Sequence, residues 1–142
     1  MLVKDAMNRR VIVIKPDATV REAARIMTKL RIGSLIVMEE DRIVGIITEL
    51  DIIWKVVADD LNPNTTLVRD VMSRDVVTIK PDQTLEDAAE LMVEKKIKKL
   101  PVVEDHRLVG ILTATDLISV QPKLIAPLAK LMLFTEKKPI AG

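Results

Sequence analysis

The sequence repeats itself once, at a constant spacing of 65 residues. Asp5 recurs as Asp70, and the Lys-Pro-Asp tripeptide at 15–17 recurs at 80–82. The register holds without a gap over residues 3–53 of the first copy. A repeat of this length is a whole folding element and not a solenoid unit. Two copies of one element therefore predict a pseudo-two-fold pair, in which a site carried by one copy occurs again in the other.

The repeat divides the chain into two motifs, a linker and a tail. The linker contains Asn62, Pro63 and Asn64, which are residue types that favour turns. In the tail, Pro127 is predicted to be the first residue of a short apolar helix, which is expected to pack on a neighbouring subunit or a partner. The predicted segments are 1–58 for the first motif, 59–67 for the linker, 68–119 for the second motif and 120–142 for the tail. The apolar residues of the tail helix are Leu128, Leu131, Met132 and Phe134.

Each copy is predicted to contain a short strand, a helix, two further strands and a second helix. The run at 11–14 is β-branched and precedes a turn, which is typical of a strand. Thr19 followed by Glu22 is a capping-box signature, and apolar residues at helical spacing extend this helix to Arg31. Two continuous apolar runs then predict a pair of buried strands. The paired strands are predicted at 35–38 and 43–47; the second copy has strands at 76–79, 100–103 and 108–112 and a helix starting at Thr84.

The composition excludes several classes of function. The chain has 142 residues and no cysteine, so it can bury a core but cannot form disulfides, thiolate metal sites or a cysteine nucleophile. His106 is the only histidine, so neither a metal site nor a Ser/His triad is expected. The net charge of +1 and the scarcity of aromatic residues make nucleic-acid binding unfavourable. No signal peptide or transmembrane span is visible, which favours a cytoplasmic protein. Trp54 is predicted to anchor packing between copies or subunits.

Two Thr-x-x-Asp pairs, Thr48 with Asp51 and Thr113 with Asp116, are the strongest candidates for a site. In a purely structural interpretation both pairs are capping boxes that stabilise the start of a helix. In a functional interpretation the backbone N–H groups and the threonine hydroxyl bind a phosphate. The carboxylate, which only accepts hydrogen bonds, suits the two hydroxyls of a ribose. A phosphate donor and a diol acceptor within one turn describe a nucleotide.

An ordered set of short patterns occurs in both copies. It consists of D-x-M, a β-branched strand, K-P-D-x-T, a helix with A-A-x-x-M, a strand pair containing V-G-I, and T-x-x-D. This pattern resembles the CBS domain, named after cystathionine β-synthase, in tandem, and it covers Val3 to Ile118. The resemblance implies an α/β (α+β) fold, with one β-α-β-β-α motif per copy and the two motifs packed as a pseudo-two-fold pair. It also implies adenosine nucleotides or related adenosyl compounds as ligands and a homodimer as the assembly.

The resemblance further assigns ligand contacts to residues of each copy. Threonine and aspartate of the motif contact phosphate and ribose, and the early strand contacts adenine through its backbone. With so few aromatic residues, adenine is expected to lie between aliphatic side chains. The preferred site, in the second copy, comprises Val76, Val77, Thr78, Lys98, Lys99, Pro101, Thr113, Ala114, Thr115 and Asp116. The weaker site, in the first copy, comprises Val11, Ile12, Val13, Gly33, Ser34, Thr48 and Asp51.

Charge is the reason for preferring the second site. The second copy has Lys98 and Lys99 ahead of a strand that starts with Leu-Pro, where the first copy has Gly33 and Ser34. The resemblance places basic residues here to meet phosphates, and Gly33 and Ser34 supply no charge. Two alternatives remain for the four lysines within 95–99: a solvated helix end that complements the helix dipole, or a nucleic-acid patch that the net charge does not support.

The sequence therefore predicts a regulatory module and not an enzyme. It is expected to bind an adenosine nucleotide, with AMP as the first choice, and to need no obligatory cofactor or metal. Binding would change its shape or its affinity for an unidentified partner protein. The alternative is a ligand-free structural or dimerisation module, whose Thr-x-x-Asp pairs are only helix caps. A third interpretation is the regulatory subunit of an enzyme.

Overall fold

The computed structural model describes residues 1–132, and the chain divides into two compact units that do not coincide with the two sequence copies. The central unit is Val11–Val77. The split unit joins Met1–Arg10 to the chain from Thr78 onward. The first ten residues therefore belong with the second copy, and residues 68–77 belong with the first.

The central unit is built on a three-stranded sheet. β1 (Val13–Ile14) runs parallel to β2 (Ser34–Glu39), and β2 runs antiparallel to β3 (Arg42–Thr48). Two parallel strands need a crossover connection, and α2 (Val20–Leu30) is the crossover between β1 and β2. The predicted order of strand, helix and two strands is therefore confirmed, although β1 is shorter than the predicted strand at 11–14.

The ends of α2 lie where the sequence predicts them. The Thr19 hydroxyl accepts a hydrogen bond from the backbone N–H of Glu22 at 3.2 Å. Arg31 ends the helix in the left-handed region, with a φ of 54°. The apolar stripe of α2 enters the core of the unit, because Val20 and Ala23 are fully buried. Other members of this core are Ile14, Met27, Leu35, Val37, Ile47, Val56, Val68, Val71 and Met72.

A widened helical turn follows β3. α3 (Glu49–Asp51) continues directly into a π-helical turn over Ile52–Val57. The helix predicted after Thr48 is thus present, but its backbone bonding pattern changes after one turn. π-helical turns are rare and often occur at functional sites.

The split unit contains the second strand pair. α5 (Leu85–Lys95) precedes β4 (Lys99–Glu104), which runs antiparallel to β5 (Arg107–Thr113), and α6 (Ala114–Val120) follows. The prediction of a strand at 76–79 is wrong.

Only the last residue of that predicted strand pairs with the sheet. Ile79 forms a single parallel bridge with Val102. Ahead of it, the backbone N–H of Val76 bonds to the carbonyl of Arg74 at 3.1 Å, so the backbone turns there. Residues 76–78 therefore form no strand in the described part of the chain, although their β-branched composition favours one.

Each unit is completed by a short segment from the other copy. α1 (Val3–Ala6) packs against β5 and α6 in the split unit, and α4 (Val68–Val71) packs against β3 and the π-helical turn in the central unit. Two reciprocal backbone bonds fix each segment. Asn8 bonds to Ile111 at 2.8 and 2.9 Å, and Ser73 bonds to Ile46 at 2.9 Å in both directions.

The predicted apolar helix of the tail is present. A 3-10 turn at Pro122–Leu124 leads into α7 (Ile125–Met132), in which Pro127 is the third residue and not the first. Proline is tolerated there because the N–H groups of the first helical turn have no partner in the helix. Phe134 lies outside the described residues. None of the helices within residues 1–132 is long and apolar enough to cross a bilayer.

Part of the apolar face of this helix packs within its own chain. α7 packs against α5, and Leu128 is buried and Leu131 half-buried. The expected contact of this face with a neighbouring subunit or a partner therefore does not involve Leu128.

Candidate functional site

Both Thr-x-x-Asp pairs form complete capping boxes. The N–H of Thr48 donates to the Asp51 carboxylate at 2.9 Å, and the N–H of Asp51 donates to the Thr48 hydroxyl at 3.2 Å. In the second copy, the same two bonds join Thr113 and Asp116 at 3.0 Å each. Both aspartates are half-buried. The structural interpretation is thus correct for both pairs, and it uses only one oxygen, Oδ2, of each carboxylate.

The residues predicted for the first-copy site all lie in the central unit, around the start of β2 and the end of β3. The Gly33 carbonyl accepts a hydrogen bond from Glu49 N at 3.0 Å, and Ser34 pairs with Thr48 across the sheet. β1 lies on the other side of β2, where the Ile12 carbonyl accepts from Ile36 at 3.4 Å. Val11 and Val13 flank Ile12 along the chain, with Val13 the first residue of β1, and Asp51 lies one turn beyond Thr48.

The second-copy site has the same arrangement in the split unit. The Lys98 carbonyl accepts a hydrogen bond from Ala114 N at 2.8 Å, and Lys99 pairs with Thr113. Two lysines beside a threonine cap and a half-buried carboxylate offer donors to an anion and acceptors to a diol. Pro101 is buried, and its carbonyl binds Ile79 N at 3.0 Å, beside Thr78; Thr115 is exposed at the start of α6. The last two predicted residues, Val76 and Val77, belong to the central unit.

The first-copy aspartate has a cation that the sequence analysis missed. Lys55 Nζ lies 3.0 Å from Oδ1 of Asp51 and also donates to the carbonyl of Val71 at 2.8 Å. Asp and Lys four residues apart on a helix are a known stabilising pair, so the sequence spacing could have predicted this ion pair. The residue 65 positions after Lys55 is Val120, which cannot pair with Asp116.

A carboxylate also lies beside the first-copy strand start. A Cβ placed on Gly33 would lie 3.0 Å from Oε1 of Glu49, so the Glu49 carboxylate covers this backbone. The matching residues of the second copy are Lys98 and Ala114. The first copy thus has a negative charge where the second has none, and the second has a positive charge where the first has none, which a comparison of matched positions would have revealed.

Trp54 is not buried by the described part of the chain. Its exposed fraction is 64%, and those of Ile53 and Val57 are 50% and 69%. With Leu50, which is 46% exposed, these residues follow the spacing of one helix face. We call these four residues the Trp54 face. Exposed apolar faces are typical of interaction surfaces.

Two cavities lie beside the Lys-Pro-Asp turns and the hairpin turns, one in each unit. The central-unit cavity has a volume of about 610 Å³ and is lined by Asp17, Glu22, Glu40 and Asp41 among others. The split-unit cavity has about 540 Å³ and includes Thr78. Neither cavity is lined by a Thr-x-x-Asp pair, and the carboxylates of the first disfavour a phosphate.

Comparison with a library of protein families gives one match over most of the chain. The CBS domain model matches residues 3–58 and again residues 68–123. These two matches follow the sequence repeat.

Individual proteins agree with this match. The CBS domain-containing protein YhcV of Bacillus subtilis is 36% identical over 115 residues, which are 81% of this chain and 81% of that protein. The CBS domain pair of protein MJ0100, solved with 5′-methylthioadenosine and S-adenosyl-L-methionine, superposes with a TM-score of 0.77 at 32% identity, covering 87% of this chain and 97% of that one. A hexameric CBS-CP12 protein from bloom-forming cyanobacteria superposes with a TM-score of 0.76 at 30% identity, covering 89% and 74%.

Proposed function

The chain belongs to the CBS domain family, and from that premise we propose that it is a regulatory module that binds an adenosine nucleotide, with AMP as the preferred ligand. It acts through a change in conformation or in affinity for a partner, and it catalyses no reaction. The MJ0100 domain pair supports an adenosyl ligand, because both of its bound molecules contain adenosine. The evidence for a phosphate on the ligand comes from this chain's own residues.

The observation that carries the proposal is the grouping at the start of α6. Lys98 lies directly before β4, Lys99 is its first residue and pairs with Thr113, and Asp116 lies one turn further on. Lysines attract the phosphate, and the carboxylate accepts hydrogen bonds from the ribose hydroxyls. A nucleotide combines such an anion and such a diol in one molecule.

We expect Asp116→Ala to weaken AMP binding by about tenfold, because a charge-assisted hydrogen bond to the ribose is lost. The measurement is calorimetric titration of the full chain with AMP, ADP and ATP. Asp87→Ala is the matched control, since Asp87 completes the same capping box with Thr84 at 3.1 Å and has no proposed ligand role. Both variants should lose about 1 kcal/mol of stability through the lost cap.

The titration also decides between this function and a ligand-free structural module. If Asp116 is only a helix cap, Asp116→Ala and Asp87→Ala lower stability alike and neither changes the response to nucleotide. Absence of heat and of thermal stabilisation with all three nucleotides would reject the proposal.

We infer that the Trp54 face is the contact of a homodimer, with a second copy of the same chain as the occupant. Aromatic residues with exposed apolar neighbours are typical anchors of such contacts. The face occurs only once per chain, because the matching positions of the second copy include Thr115, Ser119 and Pro122. One face per chain can pair with itself across a two-fold axis and close the assembly at two subunits.

Trp54→Glu should convert the dimer to a monomer at micromolar concentration, because a buried charge replaces the central aromatic contact. Sedimentation velocity measures the change directly. Ile125→Glu is the control, since Ile125 is an exposed apolar residue of the split unit, with 51% of its surface accessible. A wild-type monomer, or a Trp54→Glu dimer of unchanged stability, would contradict the inference.

A further inference from the structure

Both carboxylate oxygens of Asp51 already have partners within the chain. Its Oδ2 accepts hydrogen bonds from the backbone and the hydroxyl of Thr48, at 2.9 and 3.2 Å. Its Oδ1 pairs with Lys55 Nζ at 3.0 Å. The lysine is held from a second side by the Val71 carbonyl at 2.8 Å, and only 14% of the Asp51 side chain is accessible. A ribose hydroxyl would have to displace an amine that has two partners.

Asp116 differs in this one respect. Its Oδ2 accepts from the Thr113 backbone at 3.0 Å, as in the first copy. The cation beside the first-copy carboxylate, Lys55, has no counterpart at the matching position of the second copy. The position that would supply one is occupied by Val120, whose side chain has no donor.

We propose that Lys55 and Glu49 close the first-copy site to nucleotides, so that each chain binds one nucleotide, at the second copy. This inference rests on the proposed function and names the residues that decide which of the duplicate sites is used. Lys55 occupies the carboxylate that the ribose needs. Glu49 places negative charge beside Gly33, where the second copy has Lys98, and it repels the phosphate.

The contact of Lys55 with Asp51 can be introduced into the split unit by mutation. Val120 is four residues after Asp116, as Lys55 is four residues after Asp51. The counterpart of Val71 is Ala6, because α1 packs against α6 as α4 packs against the π-helical turn. Val120 is 37% exposed, so a longer side chain fits without disturbing the core. A lysine at position 120 therefore occupies the position in the second copy that Lys55 occupies in the first.

The first test is a calorimetric titration of full-length Val120→Lys with AMP. We expect about a fivefold loss of affinity, because the new ammonium group must leave Asp116 before the ribose binds. Val120→Met is the control, since methionine has similar length and no charge, and its affinity should equal that of the wild type. Equal affinities of Val120→Lys and Val120→Met would overturn the inference.

The second test removes Lys55 and Glu49 from the first-copy site. The double variant Lys55→Met/Glu49→Ala should bind two AMP molecules per chain, where the wild type binds one. A wild type that binds two with similar affinity, or a double variant that still binds one, overturns the inference and leaves the proposed function intact. A wild type that binds no nucleotide removes the proposed function and this inference together.

Discussion

Replacing Gly45 by alanine should lower the free energy of unfolding by about 2–3 kcal/mol, because there is no space for a methyl group at this position of β3. An added Cβ would lie 2.5 Å from the sulfur of Met72 and 2.8 Å from the carbonyl oxygen of Ser73. The methionine can move, but the carbonyl belongs to the reciprocal backbone bonds between Ser73 and Ile46. The substitution therefore pushes a fixed segment away from the sheet.

The other glycines provide a graded control for this prediction. At Gly110 the Cβ would meet Met7 at 2.6 Å but the Asn8 carbonyl only at 3.1 Å, so Gly110→Ala should cost about 1 kcal/mol. At Gly33 the three nearest atoms all belong to the end of the Glu49 side chain, which can shift by a few tenths of an ångström, and Gly33→Ala should change stability by less than about 0.5 kcal/mol. Urea unfolding of the three variants measures the series. Equal losses at Gly45 and Gly33 would show that backbone crowding is not the cause.

Local signals made much of the fold predictable. The capping threonines Thr19 and Thr84 mark the starts of α2 and α5, because their side-chain contacts act over three residues. The strand pairs are equally visible, since continuous apolar runs on both sides of a four-residue polar segment leave little choice of register. The Thr-x-x-Asp pairs of the candidate site were predictable for the same reason, because each pair is itself the start of a helix.

What could not be predicted depends on contacts between distant parts of the chain. α1 has four residues and no apolar periodicity, so nothing local assigns it to the split unit. The run at 76–79 has strand composition but only Ile79 finds a neighbour in the sheet. The ion pair of Lys55 with Asp51 was readable from their spacing, but the second contact of Lys55 was not, because Val71 belongs to a segment outside the first motif.

Val3→Ala should lower stability by about 2–3 kcal/mol and should do so in the split unit, although Val3 belongs to the first sequence copy. Val3 is fully buried, and its backbone N–H bonds to the carbonyl of Gln83 at 2.8 Å. Removing two methyl groups leaves a cavity between α1 and the second copy. The matched variant is Val68→Ala, because Val68 is also fully buried and bonds to Ala18 at 2.8 Å in the central unit.

Hydrogen exchange followed by mass spectrometry separates the two variants, since it reports the opening of each region on its own. Val3→Ala should speed exchange in α5, β4 and β5 and leave β2 and β3 protected, and Val68→Ala should do the reverse. Faster exchange in the strands of the central unit after Val3→Ala would contradict this prediction. It would mean that the first ten residues stabilise their own sequence copy and not the other one. With the expected result, each copy depends on a segment encoded in the other, so neither motif of this chain could be removed without uncovering the sheet of the one that remains.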